Sequence, residues 1–351
     1  MYPRIVINKQ KFRHNLRTLL KLCHEKGLSM MAVSKVFSAD KELVKIMIEE
    51  EVDYIADSRI ENLKGIKTTI PKVLLRLPSI SDALNTVEYA DLSLNSEIIT
   101  IEALNYFAAK LNKTHGVILM IDLGDLREGI FKEEEVIKMV NEIMKLENVS
   151  LKGIGTNLTC YGGVIPSTEI LQKLVDYKNL IESQTELKLD IISGGNSSSL
   201  ELVIDNKIPK GINNIRLGEA IVLGRETAYG NYLDNTYNDV FTLEAEIIEL
   251  KEKPSIPIGE IGMNAFGKIP SFEDKGIVLR AILAIGKQDV DYTELIPDDQ
   301  IELLGASSDH IIVNLSSIKN KYNLGDILHF KLTYSAILSL ITSKYVEKTY
   351  E

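Results

Sequence analysis

Lys35 closes the apolar run Leu28-Ser29-Met30-Met31-Ala32-Val33-Ser34, and Val36-Phe37-Ser38-Ala39-Asp40 follows as a turn into a helix that Asp40 is placed to cap. A run this apolar predicts a strand buried on both faces, which sets the ammonium at the mouth of a core. Desolvation there lowers a lysine's pKa and frees its amine to act as nucleophile or base. Taken alone, the same lysine could equally mark a strand end and reach solvent. Far along the chain, Ile191-Ile192-Ser193 runs into Gly194-Gly195-Asn196-Ser197-Ser198-Ser199, a turn whose hydroxyls and close-approaching amides can hold an anion. Gly-Gly-Asn-Ser is also an ordinary turn. Arg216-Leu217-Gly218-Glu219-Ala220 adds a guanidinium and a second glycine turn.

These groups need elements to bring them together, and the pattern supplies them. Strand-like runs fall at 29–35, 52–57, 72–77, 90–95, 117–123, 151–157, 188–193 and 213–216. Helix-period stretches such as Glu42 to Glu51, Ser96 to Leu111, Lys132 to Leu146 and Ser167 to Glu186 lie between them. Eight strands alternating with helices predict an α/β fold, a TIM-type (β/α)8 barrel over residues 8–232. An open doubly wound sheet is the structural competitor. In a barrel, Lys35, Arg76, Asn95, Arg127, Asn157, Ser193, Asn196, Ser197 and Arg216 all close or follow strands, so they converge on the carboxyl-terminal mouth. Anion sites after the seventh and eighth strands recur in this fold. With a strand-end lysine for an aldehyde and Arg216 for a ring nitrogen, the set suggests pyridoxal phosphate. Beyond Tyr232, strand-like segments separated by Gly, Pro and Asp turns, with few long helical patterns, predict a mainly β domain over 233–351, which strand 1–7 could join.

The chain has 351 residues, enough for two cores, and a formal net charge of -10 with no basic block, which argues against nucleic acid as a partner. Cys23 and Cys160 form no CxxC pair and no zinc-like spacing, so neither a disulfide framework nor a metal is expected, and reduced thiols suit the cytoplasm. No secretory h-region and no membrane-length apolar stretch is read, so no membrane partner is expected.

Several motifs together carry a resemblance that none carries singly. They are Pro3-Arg4-Ile5-Val6-Ile7, Phe12-Arg13-His14-Asn15-Leu16, Ala32-Val33-Ser34-Lys35, Ile121-Asp122-Leu123-Gly124-Asp125-Leu126-Arg127-Glu128-Gly129, Gly194-Gly195-Asn196-Ser197, Ile215-Arg216-Leu217-Gly218, Gly286-Lys287-Gln288-Asp289 and Gly305-Ala306-Ser307-Ser308-Asp309-His310. Over nearly its whole length the chain resembles the alanine racemase family of barrel enzymes that use pyridoxal phosphate, most of all the ornithine racemase branch.

The resemblance implies interconversion of L- and D-ornithine by two-base transfer of the α-proton. Its alternatives are racemisation of alanine, serine or lysine and, from another class, a noncatalytic pyridoxal-phosphate carrier. Lys35 matches the lysine that holds the cofactor and moves a proton on one face. Arg216 matches the arginine beside the pyridine nitrogen. Asn196 belongs to the matching phosphate turn, Ser197, Gly218 and Glu219 match phosphate contacts, Tyr334 matches a tyrosine reaching the phosphate, and Asn157 falls where a histidine commonly lies against the ring.

Arg127 matches an arginine near the substrate carboxylate, with Ser308 and Asp309 in a second substrate-side motif. Asp289 and Asp291 are the candidates for a distal ammonium. The family's partner is a second copy that completes each site.

Three departures stand out. Met120 lies where many relatives carry a carbamylated lysine that orients the arginine, so Arg127 must be held otherwise. Ala39 replaces a common phosphate-binding tyrosine. Phe266, in Asn264-Ala265-Phe266-Gly267, lies where the second base is expected and has no exchangeable proton. His310 then has the most suitable ordinary pKa for that base, ahead of Cys160 and Lys287. It reads equally as a strand-edge histidine.

Overall fold

The computed structural model describes residues 1–297 and 300–351. They form two compact units, one of Lys9–Asn238 and one that joins Met1–Asn8 to Asp239–Glu351. Strand β1 (Arg4–Ile7) is followed by α1 (Lys9–Glu25), and the first unit then alternates β2 (Ser29–Val33), α2 (Lys41–Glu49), β3 (Tyr54–Asp57), α3 (Ile60–Lys64), β4 (Lys72–Leu74), α4 (Ala83–Tyr89), β5 (Leu92–Asn95), α5 (Ile98–Lys110), β6 (His115–Met120), α6 (Glu133–Ile143), β7 (Val149–Gly155), α7 (Thr168–Gln184), β8 (Ile191–Ser193), α8 (Leu200–Ile204), β9 (Asn214–Leu217) and α9 (Glu219–Leu223).

Strands β2 to β9 close into a parallel barrel, with Ser29 to Ala32 of β2 registered on Asn214 to Leu217 of β9. The open doubly wound sheet is thereby excluded. Met31, Val33, Ala56, Val73, Leu92, Leu94, Ile118, Met120 and Ile191 form a buried cluster of strand residues, as expected of a barrel filled by alternate strand positions. At Gly153 on β7 an added Cβ would meet the Ile191 carbonyl oxygen at 1.9 Å, so only glycine allows that approach to β8. Asp40 caps α2 as expected, its carboxylate accepting from the amides of Glu42 (3.1 Å) and Leu43 (3.4 Å).

The second unit is mainly β: β10 (Phe241–Pro254), β11 (Ile277–Leu283), β12 (Leu295–Pro297), β13 (Glu302–Ala306), β14 (Ile311–Asn314), β15 (Ile327–Leu332), helix α10 (Tyr334–Thr342) and β16 (Glu347–Tyr350). The sheet runs β12-β15-β10-β11-β14-β13, and β1 adds to it, antiparallel to β10 with Ile5 opposite Leu243 and parallel to β16.

Three elements escaped the sequence pattern. β12 and β16 are too short to show a period, while α10 continues directly from a strand. Its buried stripe of Ala336, Ile337, Leu340 and Ile341 is capped by the Thr333 hydroxyl. Several barrel strands also stop short of the expected ends, β2 at Val33, β4 at Leu74 and β7 at Gly155, each followed by one last backbone bond, from the amides of Ser34, Leu75 and Thr156 to the carbonyls of Ala56, Asp57 and Ser193.

One buried group ties the barrel's stability to pH. His115 at the start of β6 is enclosed, with Nε2 2.8 Å from Ser93 Oγ, and burial pushes its pKa from 6.5 down to about 4. The unfolded chain therefore binds the proton more readily, so the contribution is fully present above pH 6.5 and is lost as pH falls through 4. Wild type should lose roughly 2 kcal/mol more stability between pH 7 and pH 5 than His115→Gln. Urea unfolding of both proteins at the two pH values measures the difference, and parallel losses would refute it.

Candidate active site

Lys35 begins a single turn of 3-10 helix directly after β2, and the backbone leaves that turn through Ser38 and Ala39 at φ of 49° and 48°. Its placement is set by the residue before it. Ser34, fully buried, donates from Oγ to Asp57 Oδ2 at 2.6 Å, and Asp57 Oδ1 accepts from the Arg59 amide at 2.8 Å and Asn62 Nδ2 at 3.0 Å. Burial raises the Asp57 pKa despite these bonds. Lys35 itself is open to solvent on one side but ringed by protein atoms on the others. Desolvation lowers its pKa and the Arg127 charge adds to that, opposed by Cys160, Asp57 and Glu219.

Arg216 lies inside the mouth, buried, on β9. Its Nη1 donates to Ser193 Oγ at 2.6 Å, and its Nη2 donates at 2.5 Å to both the Thr156 carbonyl and Asn157 Oδ1. Ser193 Oγ in turn donates to Asn214 Oδ1 at 2.7 Å. Burial brings the Arg216 pKa down to about 10, so the guanidinium stays charged at neutral pH.

The two glycine turns meet. Asn196 Oδ1 accepts from the Ser198 amide at 2.9 Å, Ser199 Oγ bonds the Gly194 carbonyl at 2.8 Å, and the Ala220 amide, in the first turn of α9 after Gly218, donates to Ser197 Oγ at 3.3 Å. Gly195 needs its freedom, with φ of 110° and Ser199 Oγ 2.7 Å from where a Cβ would sit. Ser198 Oγ is buried and finds no partner among the described residues, an orphaned hydroxyl in a turn suited to an anion. The Glu219 carboxylate is turned to Arg225 at 2.6 Å, leaving its backbone as the part available to a phosphate. A buried arginine, a strand-end lysine and this orphaned hydroxyl together fit pyridoxal phosphate.

Arg127 comes from the loop after β6, which folds back so that the Ile130 amide bonds the Met120 carbonyl at 2.9 Å and the Asp122 amide bonds the Ile130 carbonyl at 3.0 Å. Gly129 makes that return feasible, since its φ is 123° and a Cβ would lie 2.6 Å from the Asp122 amide nitrogen. Asp125 stitches the loop to the one after β7, accepting from the amides of Cys160 (3.2 Å), Tyr161 (2.9 Å) and Val164 (3.2 Å). Burial opposes its charge, yet these amides hold its carboxyl below the usual range.

Glu128, to which the sequence reading gave no role, grips Arg127 through Nε and Nη2, the latter at 2.5 Å, and also accepts from Asn157 Nδ2. Burial disfavours the Arg127 charge, but Glu128 more than offsets this and its pKa is raised. This is how Arg127 is held where Met120 offers no acidic group. The only sequence signal was an acidic residue beside the arginine, which ordinarily means a solvated pair.

Of the other barrel residues expected at the site, Cys160 borders it, whereas Arg76 and Asn95 are held elsewhere. Arg76 is exposed and lines a shallow cleft with Ser58, Arg59 and Asp82. Asn95, at the end of β5, donates to Ser93 on the strand face opposite the interior residue Leu94, and its Oδ1 has no partner among the described residues. Cys160 accepts from Asn196 Nδ2 at 3.3 Å.

Tyr334, His310, Ser308, Asp309, Asp289 and Asp291 belong to the second unit. Tyr334 opens α10. His310 is exposed on the β13–β14 turn, and Asp309 accepts from Ser308 Oγ at 2.6 Å. Asp291 caps a turn through the Thr293 amide at 3.1 Å, and Asp289 accepts from Ser343 Oγ at 2.6 Å. Lys287 Nζ lies 4.4 Å from the Phe266 ring centre.

The architecture is that of a barrel enzyme whose functional groups gather at the carboxyl ends of the strands. Residues 7–226 match the family model described as alanine racemase, N-terminal domain. An ornithine racemase of Acetoanaerobium sticklandii is 51% identical over 99% of both chains, and a lysine racemase of Thermotoga maritima is 38% identical over 100% of this chain and 99% of its own. Solved alanine racemases share the fold. The one from Streptomyces coelicolor A3(2) superposes with a TM-score of 0.77 at 15% identity, covering 99% of this chain and 97% of its own. The one from Bartonella henselae, with covalently bound pyridoxal phosphate, gives 0.74 at 18% identity over 99% of both. The chain belongs to the alanine racemase family.

The lowered Lys35 pKa has a direct readout in the cofactor-free protein. Under graded-pH labelling with acetic anhydride, peptide mapping should show Lys35 reaching half-maximal modification at a lower pH than the lysine of an unstructured model peptide. Coincident or reversed midpoints would refute the desolvation argument.

Proposed function

We propose that this protein is a pyridoxal-phosphate-dependent amino-acid racemase that interconverts L- and D-ornithine. The observation that carries the reading is the buried Arg216 cage beside a desolvated strand-end lysine, in a chain 51% identical along almost its whole length to an ornithine racemase. The electron withdrawal that acidifies an amino acid's α-proton is what pyridoxal phosphate supplies when bound. Lys35 is assigned to hold it covalently and to carry that proton on one face. Arg216 is assigned to the ring nitrogen, which a permanent cation would keep unprotonated. Asn157 would lie against the ring, and the turn of Asn196 and Ser197 with the backbone of Gly218 and Glu219 would take the phosphate, to which Tyr334 is also assigned. Arg127 is assigned to the substrate carboxylate with Ser308 and Asp309, and Asp289 and Asp291 to the distal ammonium.

We place the enzyme in the cytoplasm as a homodimer whose subunits complete each other's sites. No helix among the described residues is long and apolar enough to cross a membrane. The dimer is supported by exposed apolar side chains along segment 255–276, where Ile258, Met263 and Ile269 are 91%, 75% and 71% accessible. Purified protein with pyridoxal phosphate should convert either ornithine enantiomer to an equal mixture, followed by chiral chromatography against alanine, serine and lysine. Borohydride reduction and peptide mapping should place the cofactor on Lys35, and Lys35→Ala should lower turnover at least about 1,000-fold. A faster rate on another amino acid would overturn the substrate, and bound cofactor without turnover would favour the carrier.

Two-base transfer needs a second proton carrier, and we assign His310. Its turn is joined to the Gly286-Lys287-Gln288 segment by the Lys287 and Gln288 amides, which bond the Ser307 and Ser308 carbonyls at 2.9 and 3.0 Å. His310→Ala should retain cofactor binding yet slow α-deuterium exchange at least about 10-fold more from one ornithine enantiomer than from the other. Wild-type exchange from both would transfer the assignment to Lys287 or Cys160.

A further inference from the structure

Two permanent cations stand at the barrel mouth, Arg127 on the β6 loop and Arg216 on β9, and one acidic group touches the side chains that hold both. Glu128 takes the Nε and Nη2 donors of Arg127, so the guanidinium is gripped along its side edge and Nη1 is left for another anion. The same carboxylate accepts from Asn157 Nδ2, while Asn157 Oδ1 accepts from Arg216 Nη2 at 2.5 Å. The amide can face only one way. Turned over, it would aim its oxygen at a carboxylate and its donors at a guanidinium, both repulsive.

The result is a single chain of bonds, Arg127 to Glu128 to Asn157 to Arg216, in which each link pairs a donor with an acceptor. It continues from Arg216 through Ser193 to Asn214. Glu128 is more enclosed than its partner, with side-chain accessibility of 13% against 40% for Arg127. A carboxylate in that position is strongly directed, because sequestration from water leaves it few other donors. The loop that presents it is fixed by Gly129 and by Asp125, so the geometry is set before any ligand arrives.

We infer that Glu128 is the positioning residue of this site: it orients Arg127 to receive the substrate carboxylate and ties that arginine through Asn157 to Arg216. The inference rests on the racemase reading for the identity of the substrate. It assigns Glu128 no proton-transfer step. Its signature is selective for the carboxylate end of the ligand. An amino acid should feel the loss of Glu128, whereas the same molecule lacking its carboxylate should not.

The test is Glu128→Gln in the holoenzyme, which keeps the side-chain length and removes the charge. KM for ornithine should rise at least about 10-fold, while the inhibition constant of 1,4-diaminobutane, which is ornithine without its carboxylate, should change less than about 2-fold. Binding of pyridoxal phosphate to the cofactor-free variant, followed by equilibrium dialysis, should stay within about 3-fold of wild type. In an Arg127→Gln background the Glu128 substitution should add no further rise in KM, because the group it positions is already gone.

An equal rise for ornithine and the diamine would make Glu128 a general structural residue and overturn the inference, as would an unchanged KM. If Glu128→Gln fails to fold, Arg127→Gln/Glu128→Gln is compared with Arg127→Gln alone, and a KM difference beyond about 2-fold refutes the role. Wild type is assayed first. Absence of ornithine turnover there rejects ornithine as the substrate, whereas a failed ratio in the variant rejects only the role of Glu128.

Discussion

Burying the Arg216 guanidinium is the constraint around which the barrel mouth is organised. An arginine cannot shed its proton to escape desolvation, so each N–H taken out of water must find an acceptor. The end of β8 supplies Ser193 Oγ, and the residues just after β7 supply the Thr156 carbonyl and the Asn157 side chain. Those acceptors have demands of their own. Ser193 passes its proton to Asn214, and Asn157 turns its amide to Glu128. One buried cation therefore fixes side chains on two adjacent strands, β8 and β9, and in the loops after β7 and β6. Such an arrangement is preorganised, with the cation already fixed before any ligand arrives.

Lys35 answers to a different balance. Its backbone is anchored one residue earlier, by the Ser34 hydroxyl on the buried Asp57, so its side chain starts from a fixed point. Removal from water and the neighbouring Arg127 favour the neutral amine, while Asp57, Cys160 and Glu219 favour the ammonium. The first pair prevails, which suits the nucleophile and base proposed for Lys35. Cys23 shows the contrast. Its thiol is buried with nothing comparable around it, burial pushes its pKa up to about 12, and it is an inert part of the core.

The barrel was legible because its signal is repeated: apolar runs alternate with amphipathic stretches, and each repetition supports the others. Lys35, Asn157, Ser193, Ser197 and Arg216 were legible because strand ends in a barrel share one face, so position along the chain translated into position in space. Glu128 was not. Its role depends on a loop that turns back at Gly129 and on the orientation of a neighbouring amide, and neither leaves a periodic trace. Helix α10 was missed for a related reason, since its apolar stripe follows a strand without a polar break and its start is marked only by Thr333.

The same logic explains how Met120 can remain in the interior cluster while a carboxylate still reaches Arg127. A carboxylate function inside a barrel has to be delivered by some side chain, but the backbone need not deliver it from the strand itself. Here β6 keeps an apolar residue in the interior cluster, and the loop beyond it carries the charge back over the mouth. Keeping Met120 apolar preserves the packing beneath the site, whereas an ionised group at that depth would need its own partners among buried strand residues. Moving the carboxylate to Glu128 places it at the rim, where backbone geometry and Asp125 hold it. The cost shifts from desolvating a core charge to ordering a short loop, and Gly129 is the residue that makes this ordering sterically allowed.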